Sequence, residues 1–237
     1  MSKYTHSLPT IFLSLFLLFS LGNLIALATE TPIDNYITKP CLMIWLGLYA
    51  YFRQGESLTS SDKWLLFGLF FSFGGDSLLL FADGRPGGET FFLLGLSSFL
   101  LTHLAYWMAF HKWPNQKTGL LSRRPLLLLP FVAYWAGMIY LLWPGMPPAM
   151  RIPVLVYSMV ITVMAAKALH ISPNLSVDKR WMLLAGVLLF VISDSIIALS
   201  RFTDLLPFSI LAIGMAIMVT YLGGQLLIVM GLTRKSV

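Results

Sequence analysis

The sequence predicts an all-α integral membrane protein, a single transmembrane domain of about eight helices over residues 1–237. Three observations predict it. Hydrophobic residues make up 57% of the chain and charged residues only 11%, against about 25% charged in soluble domains, and the mean hydropathy is +0.79. Apolar runs recur at the length, about 20 residues, that carries a helix across the hydrocarbon core. The breaks between them are short and rich in turn residues, so no soluble domain fits between the spans.

Hydropathy divides the chain into spans at 9–29, 35–53, 63–82, 90–111, 125–143, 150–170, 181–201 and 205–231. The first has the outline of a signal peptide, because Lys3 precedes an apolar run ending in Ala26-Leu27-Ala28. That run approaches full spanning length behind a thin basic start, which favours a retained helix. Thr31-Pro32 breaks the chain before the second span, which Lys39-Pro40 opens. The stretch from Gly55 to Asp62 precedes the third span, and Asp83-Gly84-Arg85-Pro86-Gly87-Gly88 the fourth. Pro144 to Pro148 separates the fifth from the sixth, and Ser172-Pro173-Asn174 the sixth from the seventh.

Orientation follows from the basic residues. With the N-terminus inside, one side collects Lys3, Arg53, Lys63, Lys112, Lys117, Arg123, Arg124, Lys167, Lys179, Arg180, Arg234 and Lys235. The other side has only Lys39, Arg85, Arg151 and Arg201. Both termini are therefore expected in the cytoplasm, which in a bacterium makes this a multi-pass protein of the inner membrane. The pI near 9.5 reflects this topology and the lipid surface rather than nucleic acid, since no basic patch interleaved with aromatics stands clear of the bilayer. The single cysteine, Cys41, excludes an intramolecular disulfide and a cysteine metal cluster.

The third and seventh spans read alike. Asp62-Lys63-Trp64 leads through Gly68 to Gly75-Asp76-Ser77, and Asp178-Lys179-Arg180-Trp181 leads through Gly186 to Ser193-Asp194-Ser195. Aligning the Asp-Ser pairs also aligns the glycines at an offset of 118, half the chain. This suggests a 4+4 parallel internal repeat with halves 1–118 and 119–237, a known membrane architecture. A repeat would set the two aspartates at matching depth on facing halves.

Eight of the ten acidic residues lie in loops or at span ends; Asp76 and Asp194 alone lie well inside apolar runs. Each is about 13 residues past its boundary, roughly 20 Å at 1.5 Å per residue. An aspartate at a helix centre costs about 2.5–3.5 kcal/mol on insertion scales, so intramembrane carboxylates are read as functional. The supporting candidates are Lys39, Ser72, His103, Tyr106, Tyr157, Ser193, Tyr221 and Gln225. His103 and Tyr106, three apart, share a helix face, as do Tyr221 and Gln225, four apart. Each alone is as well explained as interhelical glue. No metal or cofactor motif is visible: His-Glu-x-x-His is absent, and a site from Asp76, Asp194 and His103, which facing helices could build, would be short of nitrogen ligands for a standard zinc site. Ser72 or Ser97 with His103 could be drawn as a triad, but no nucleophile-elbow pattern supports it.

Two close carboxylates in low dielectric cannot both be charged, so one keeps its proton. A neutral acid beside a carboxylate suits hydrolysis through an oxocarbenium-like state. A lipid with an acid-labile vinyl ether or acetal near its headgroup meets that requirement, and Lys39 or Arg85 could hold its phosphate. A proton-coupled lipid or small-molecule transporter is the alternative, because intramembrane carboxylates also relay protons. A scaffold whose aspartates only tie helices together is a third reading.

Several spaced motifs point to one family. They are Lys39-Pro40, Phe71-Ser72-x-x-Gly75-Asp76-x-x-Leu79-Leu80, Gly95-x-x-x-Phe99-x-x-x-His103-x-x-Tyr106, Gly186-x-x-x-Phe190-x-x-Ser193-Asp194 and Tyr221-x-x-x-Gln225. Over most of its length the chain resembles the YhhN family of membrane proteins, whose characterised animal members are lysoplasmalogenases. The resemblance implies an eight-helix fold and hydrolysis of the vinyl ether of a lysoplasmalogen, an ether lysophospholipid, to a fatty aldehyde and a glycerophospho-headgroup. It implies Asp76 and Asp194 as the catalytic pair, with Lys39, His103, Tyr106, Tyr221 and Gln225 lining the pocket.

Overall fold

The computed structural model describes residues 7–29, 32–54, 57–82, 87–114 and 119–233, with the backbone alone over 32–37. Lys3, Arg85, Lys117, Arg234 and Lys235, which enter the orientation count, lie outside the described residues, as do Glu30, Glu56 and Asp83. Nine α-helices are described: α1 Leu8–Ala28, α2 Pro32–Arg53, α3 Ser60–Leu79, α4 Gly88–His111, the short α5 Leu120–Arg123, α6 Leu129–Leu142, α7 Pro148–Ile171, α8 Val177–Phe202 and α9 Ile210–Leu232. Among the described residues there is no strand. The chain forms two compact units. One ends at Lys112 and takes in Leu232 at the far end of the chain, and the other runs from Trp113 to Gly231.

In the first unit Asn23 of α1 donates to Thr38 Oγ1 of α2 at 3.1 Å, and the ring of Phe12 stacks on Phe52 at 5.3 Å. Lys39-Pro40 does not open its helix. Helix α2 already begins at Pro32, so the pair lies two turns inside it. Proline removes one backbone donor there, yet the helix runs on to Arg53. Helix α3 opens on a capping box: Thr59 N–H donates to Asp62 Oδ2 at 2.8 Å, and the Asp62 N–H reaches back to Thr59 Oγ1 at 3.4 Å. Gly87, in the left-handed region at φ 81°, turns the chain into α4.

Helices α3 and α4 pack closely in one antiparallel register. Gly68 faces the Tyr106 ring, Gly75 faces Phe99, and Gly95 faces Leu79. A Cβ at Gly75 would fall 2.5–2.9 Å from the Phe99 ring, so the small residue is what admits it. Phe99 and Tyr106 of α4 thus fit the glycines of α3, while Gly95 of α4 admits Leu79 in return.

In the second unit the close pair is α8 and α9, and here backbone meets backbone. A Cβ on Gly186 would lie 2.6 Å from Ile228 N and 2.9 Å from the Gly224 carbonyl oxygen. At the turn between α7 and α8, Arg180 donates to the Ser172 and Leu175 carbonyl oxygens at 3.0 and 3.4 Å, which satisfies groups left open by the helix end. At the opposite end, Gly145 packs against the Phe202 carbonyl, and Arg151 stacks 4.7 Å over the Trp143 ring.

Six helical stretches among the described residues are long and apolar enough to cross a membrane: 8–28, 88–111, 125–145, 148–174, 177–202 and 210–232. The expected second and third spans do form helices, α2 and α3, but they are the polar ones. Asp34, Lys39 and Arg53 sit on the first, and Asp62, Lys63 and Asp76 on the second. The last helix begins at Ile210 rather than 205, because Pro207 interrupts the apolar run.

Candidate active site

Asp194 lies on α8, half-buried, eight residues before its end at Phe202. Tyr157 of α7 donates its hydroxyl to Asp194 Oδ2 at 2.5 Å, a short bond of the charge-assisted kind. The next residue, Ser195, meets the Tyr134 hydroxyl of α6 at 2.8 Å. Trp135 Nε1 donates to Ser158 Oγ of α7 at 3.2 Å. Three consecutive antiparallel helices are therefore tied pairwise at one level by side-chain hydrogen bonds. The level is set by simple counting: Tyr134 is eight residues from the end of α6, and Tyr157 is nine from the start of α7. At 1.5 Å per residue all three groups lie about 12–14 Å from the same end of their helices.

Tyr157 is among the supporting residues that the sequence singles out; Tyr134 is not. Tyr134 sits in one of the most apolar spans, where its neighbours suggest packing only. Depth counting across consecutive spans is the signal that finds it.

The remaining candidates of this unit lie elsewhere along α8 and α9. Ser193 donates to the Ile217 carbonyl at 3.1 Å and so joins the two helices. This register puts Asp194 level with Ile217. Tyr221, buried against the Phe190 ring at 5.6 Å, lies about one turn away, and buried Gln225 about two turns away.

In the first unit Asp76 is buried, 2% exposed, on α3. The α3–α4 register sets it level with Ser98, whose hydroxyl donates to the Phe71 carbonyl at 2.7 Å. Ser72 donates to Thr102 Oγ1 at 3.2 Å, one helical turn from Asp76. His103 and Tyr106 are fully buried on α4, and Tyr106 fills the groove at Gly68. In this register His103 lies about five residues along the axis from Asp76, roughly 7 Å. Exposed Ser97 donates to the Leu93 carbonyl. Lys39 is half-buried on α2. Among the described residues no group of three or more His, Cys, Asp or Glu is arranged to hold a metal.

No solved structure matches the chain. It is 33% identical over 194 residues to lysoplasmalogenase TMEM86A of Bos taurus and 32% identical to that of Homo sapiens, covering 80% of this chain and 73% of each relative. It is 30% identical over 198 residues to lysoplasmalogenase TMEM86B of Rattus norvegicus, covering 83% of this chain and 71% of the relative. The YhhN family model matches residues 35–232, which takes in every candidate residue named above. The chain belongs to the YhhN family.

Proposed function

We propose that this protein is a lysoplasmalogenase that hydrolyses the vinyl ether of an ether lysophospholipid in the membrane, with Asp76 and Asp194 as its two catalytic carboxylates. The observation that carries the reading is the Tyr157–Asp194 hydrogen bond inside an apolar helix cluster, in a chain whose relatives bear the lysoplasmalogenase name. Eight spans, both termini in the cytoplasm and a 4+4 repeat belong to the same reading.

The chemistry assigns one role to each carboxyl. Asp194 already accepts a hydroxyl hydrogen and serves as the carboxylate. Asp76 is the acid and protonates the β-carbon of the vinyl ether. The π electrons form the new C–H bond, and an ether oxygen lone pair gives the oxocarbenium ion. Water adds to its carbon while Asp194 takes the water's proton, leaving a hemiacetal. The hemiacetal hydroxyl proton then moves to the ether oxygen as the C–O bond breaks, releasing fatty aldehyde and glycerophospho-ethanolamine or -choline. Overall one water is consumed and the carboxyls exchange a proton with solvent.

The test compares vinyl-ether, acyl and alkyl lysophospholipids with purified protein, with products read by mass spectrometry. Aldehyde from the vinyl ether alone is expected. Asp76→Asn and Asp194→Asn should each lower the rate by at least about 10³-fold, as loss of a general acid or base does at the upper end of its usual range, with thermal unfolding little changed. Substrate-driven proton flux in liposomes without bond cleavage would replace hydrolysis by transport. Retained activity in either variant would refute the two-carboxylate mechanism.

A further inference from the structure

The hydroxyls around Asp194 have a directionality that decides what they can bind. Ser195 Oγ lies 2.6 Å from the Val191 carbonyl oxygen, one turn back on α8, and a carbonyl only accepts. The single Ser195 proton is therefore spent there. The contact of 2.8 Å between Ser195 and Tyr134 then has one consistent assignment, with the tyrosine donating. Tyr157 donates likewise to Asp194. All three hydroxyl protons are thus engaged by protein acceptors, and Tyr134 Oη keeps lone pairs with which to accept.

We infer that Tyr134 is a catalytic residue of the hydration step: its hydroxyl oxygen and the Asp194 carboxylate form a pair of acceptors that hold the attacking water by both of its hydrogens. Tyr134 Oη lies 2.8 Å from Oγ of Ser195, the residue next to Asp194, so the two acceptors stand at the same stretch of α8. A water held through both hydrogens has only lone pairs left to present. Those are what an oxocarbenium carbon needs. As the new C–O bond forms, the hydrogen on the Asp194 side passes to that carboxylate. The hydrogen on the Tyr134 side stays on oxygen as the hemiacetal hydroxyl. No other reactant is required.

The inference rests on the lysoplasmalogenase reading and adds a selectivity that this reading alone does not contain. Methanol has one hydroxyl hydrogen and can satisfy Asp194 but not Tyr134 as well. In wild-type protein water should therefore capture the cation in preference to methanol beyond the ratio of their concentrations. Tyr134→Phe keeps the ring and removes the second acceptor, so the preference should collapse.

The experiment digests a vinyl-ether lysophospholipid in buffer containing a fixed fraction of methanol, and measures mixed acetal against free aldehyde by mass spectrometry. The acetal-to-aldehyde ratio is expected to rise about tenfold in Tyr134→Phe, the fold-change for one lost hydrogen bond of about 1.4 kcal/mol. Ser195→Ala, which frees the Tyr134 proton, should move the ratio the same way and stands in if the phenylalanine variant folds poorly. A merely structural role would lower turnover and leave the ratio untouched; that result overturns the inference while the function stands. Wild-type protein releasing no aldehyde would overturn the function itself.

Discussion

Tyr157→Phe removes a side-chain hydrogen bond that holds Asp194. The substitution keeps the ring volume between α7 and α8 and removes the hydroxyl that donates at 2.5 Å. Hydrogen bonds to charged groups contribute about 1.5–3 kcal/mol, so full expression of this bond in the transition state amounts to roughly 10–150-fold in rate. The hydroxyl is spent on the carboxylate rather than on the lipid. The loss should therefore fall on kcat, with KM within about twofold. The assay is initial-rate aldehyde release from a vinyl-ether lysophospholipid, normalised to folded protein by size exclusion and thermal unfolding. An unchanged kcat would show that Asp194 needs no support from α7. A raised KM with kcat intact would mean that Tyr157 binds substrate. Either result refutes the argument.

Two further outcomes concern the scaffold. Gly186→Ala sets a methyl 2.6 Å from a backbone nitrogen of α9, which neither helix can accommodate without moving apart; overpacking of this kind costs about 1–3 kcal/mol, read as a lower unfolding temperature in detergent. Thr59→Ala removes the side-chain half of the capping box and should cost about 1 kcal/mol by the same measurement, with Asp62→Asn, which retains an acceptor, costing less.

Much of the fold is legible in the sequence, because apolar run length and turn residues alone separate the helices. The glycines Gly68, Gly75 and Gly186 could be picked out by spacing, but not the partners that need them small. That Tyr106 packs into Gly68, while Gly186 meets bare backbone, depends on interhelical register, which no single run encodes. Lys39-Pro40 misled for a related reason. Proline commonly marks a helix start, yet a first turn from Pro32 supplies that start eight residues earlier. The candidate site divides in the same way. Asp194 is conspicuous as a charge in an apolar run, and Tyr157 is visible as a polar group on another span. Tyr134 carries no charge and no motif, so its importance comes from three helices sharing one depth.

The engagement of these hydroxyl protons also bears on which lipids this surface can turn over. Ester cleavage passes through a tetrahedral oxyanion, and an oxyanion needs hydrogen-bond donors aimed at it. Around Asp194, Tyr134, Tyr157 and Ser195 have all committed theirs. An acyl lysophospholipid could occupy the same place as its vinyl-ether counterpart and draw on none of these three hydroxyl protons to steady the charge it must develop. Discrimination between two lipids of nearly identical shape would then reside in the sign of the charge each reaction builds, rather than in the fit of either molecule at rest.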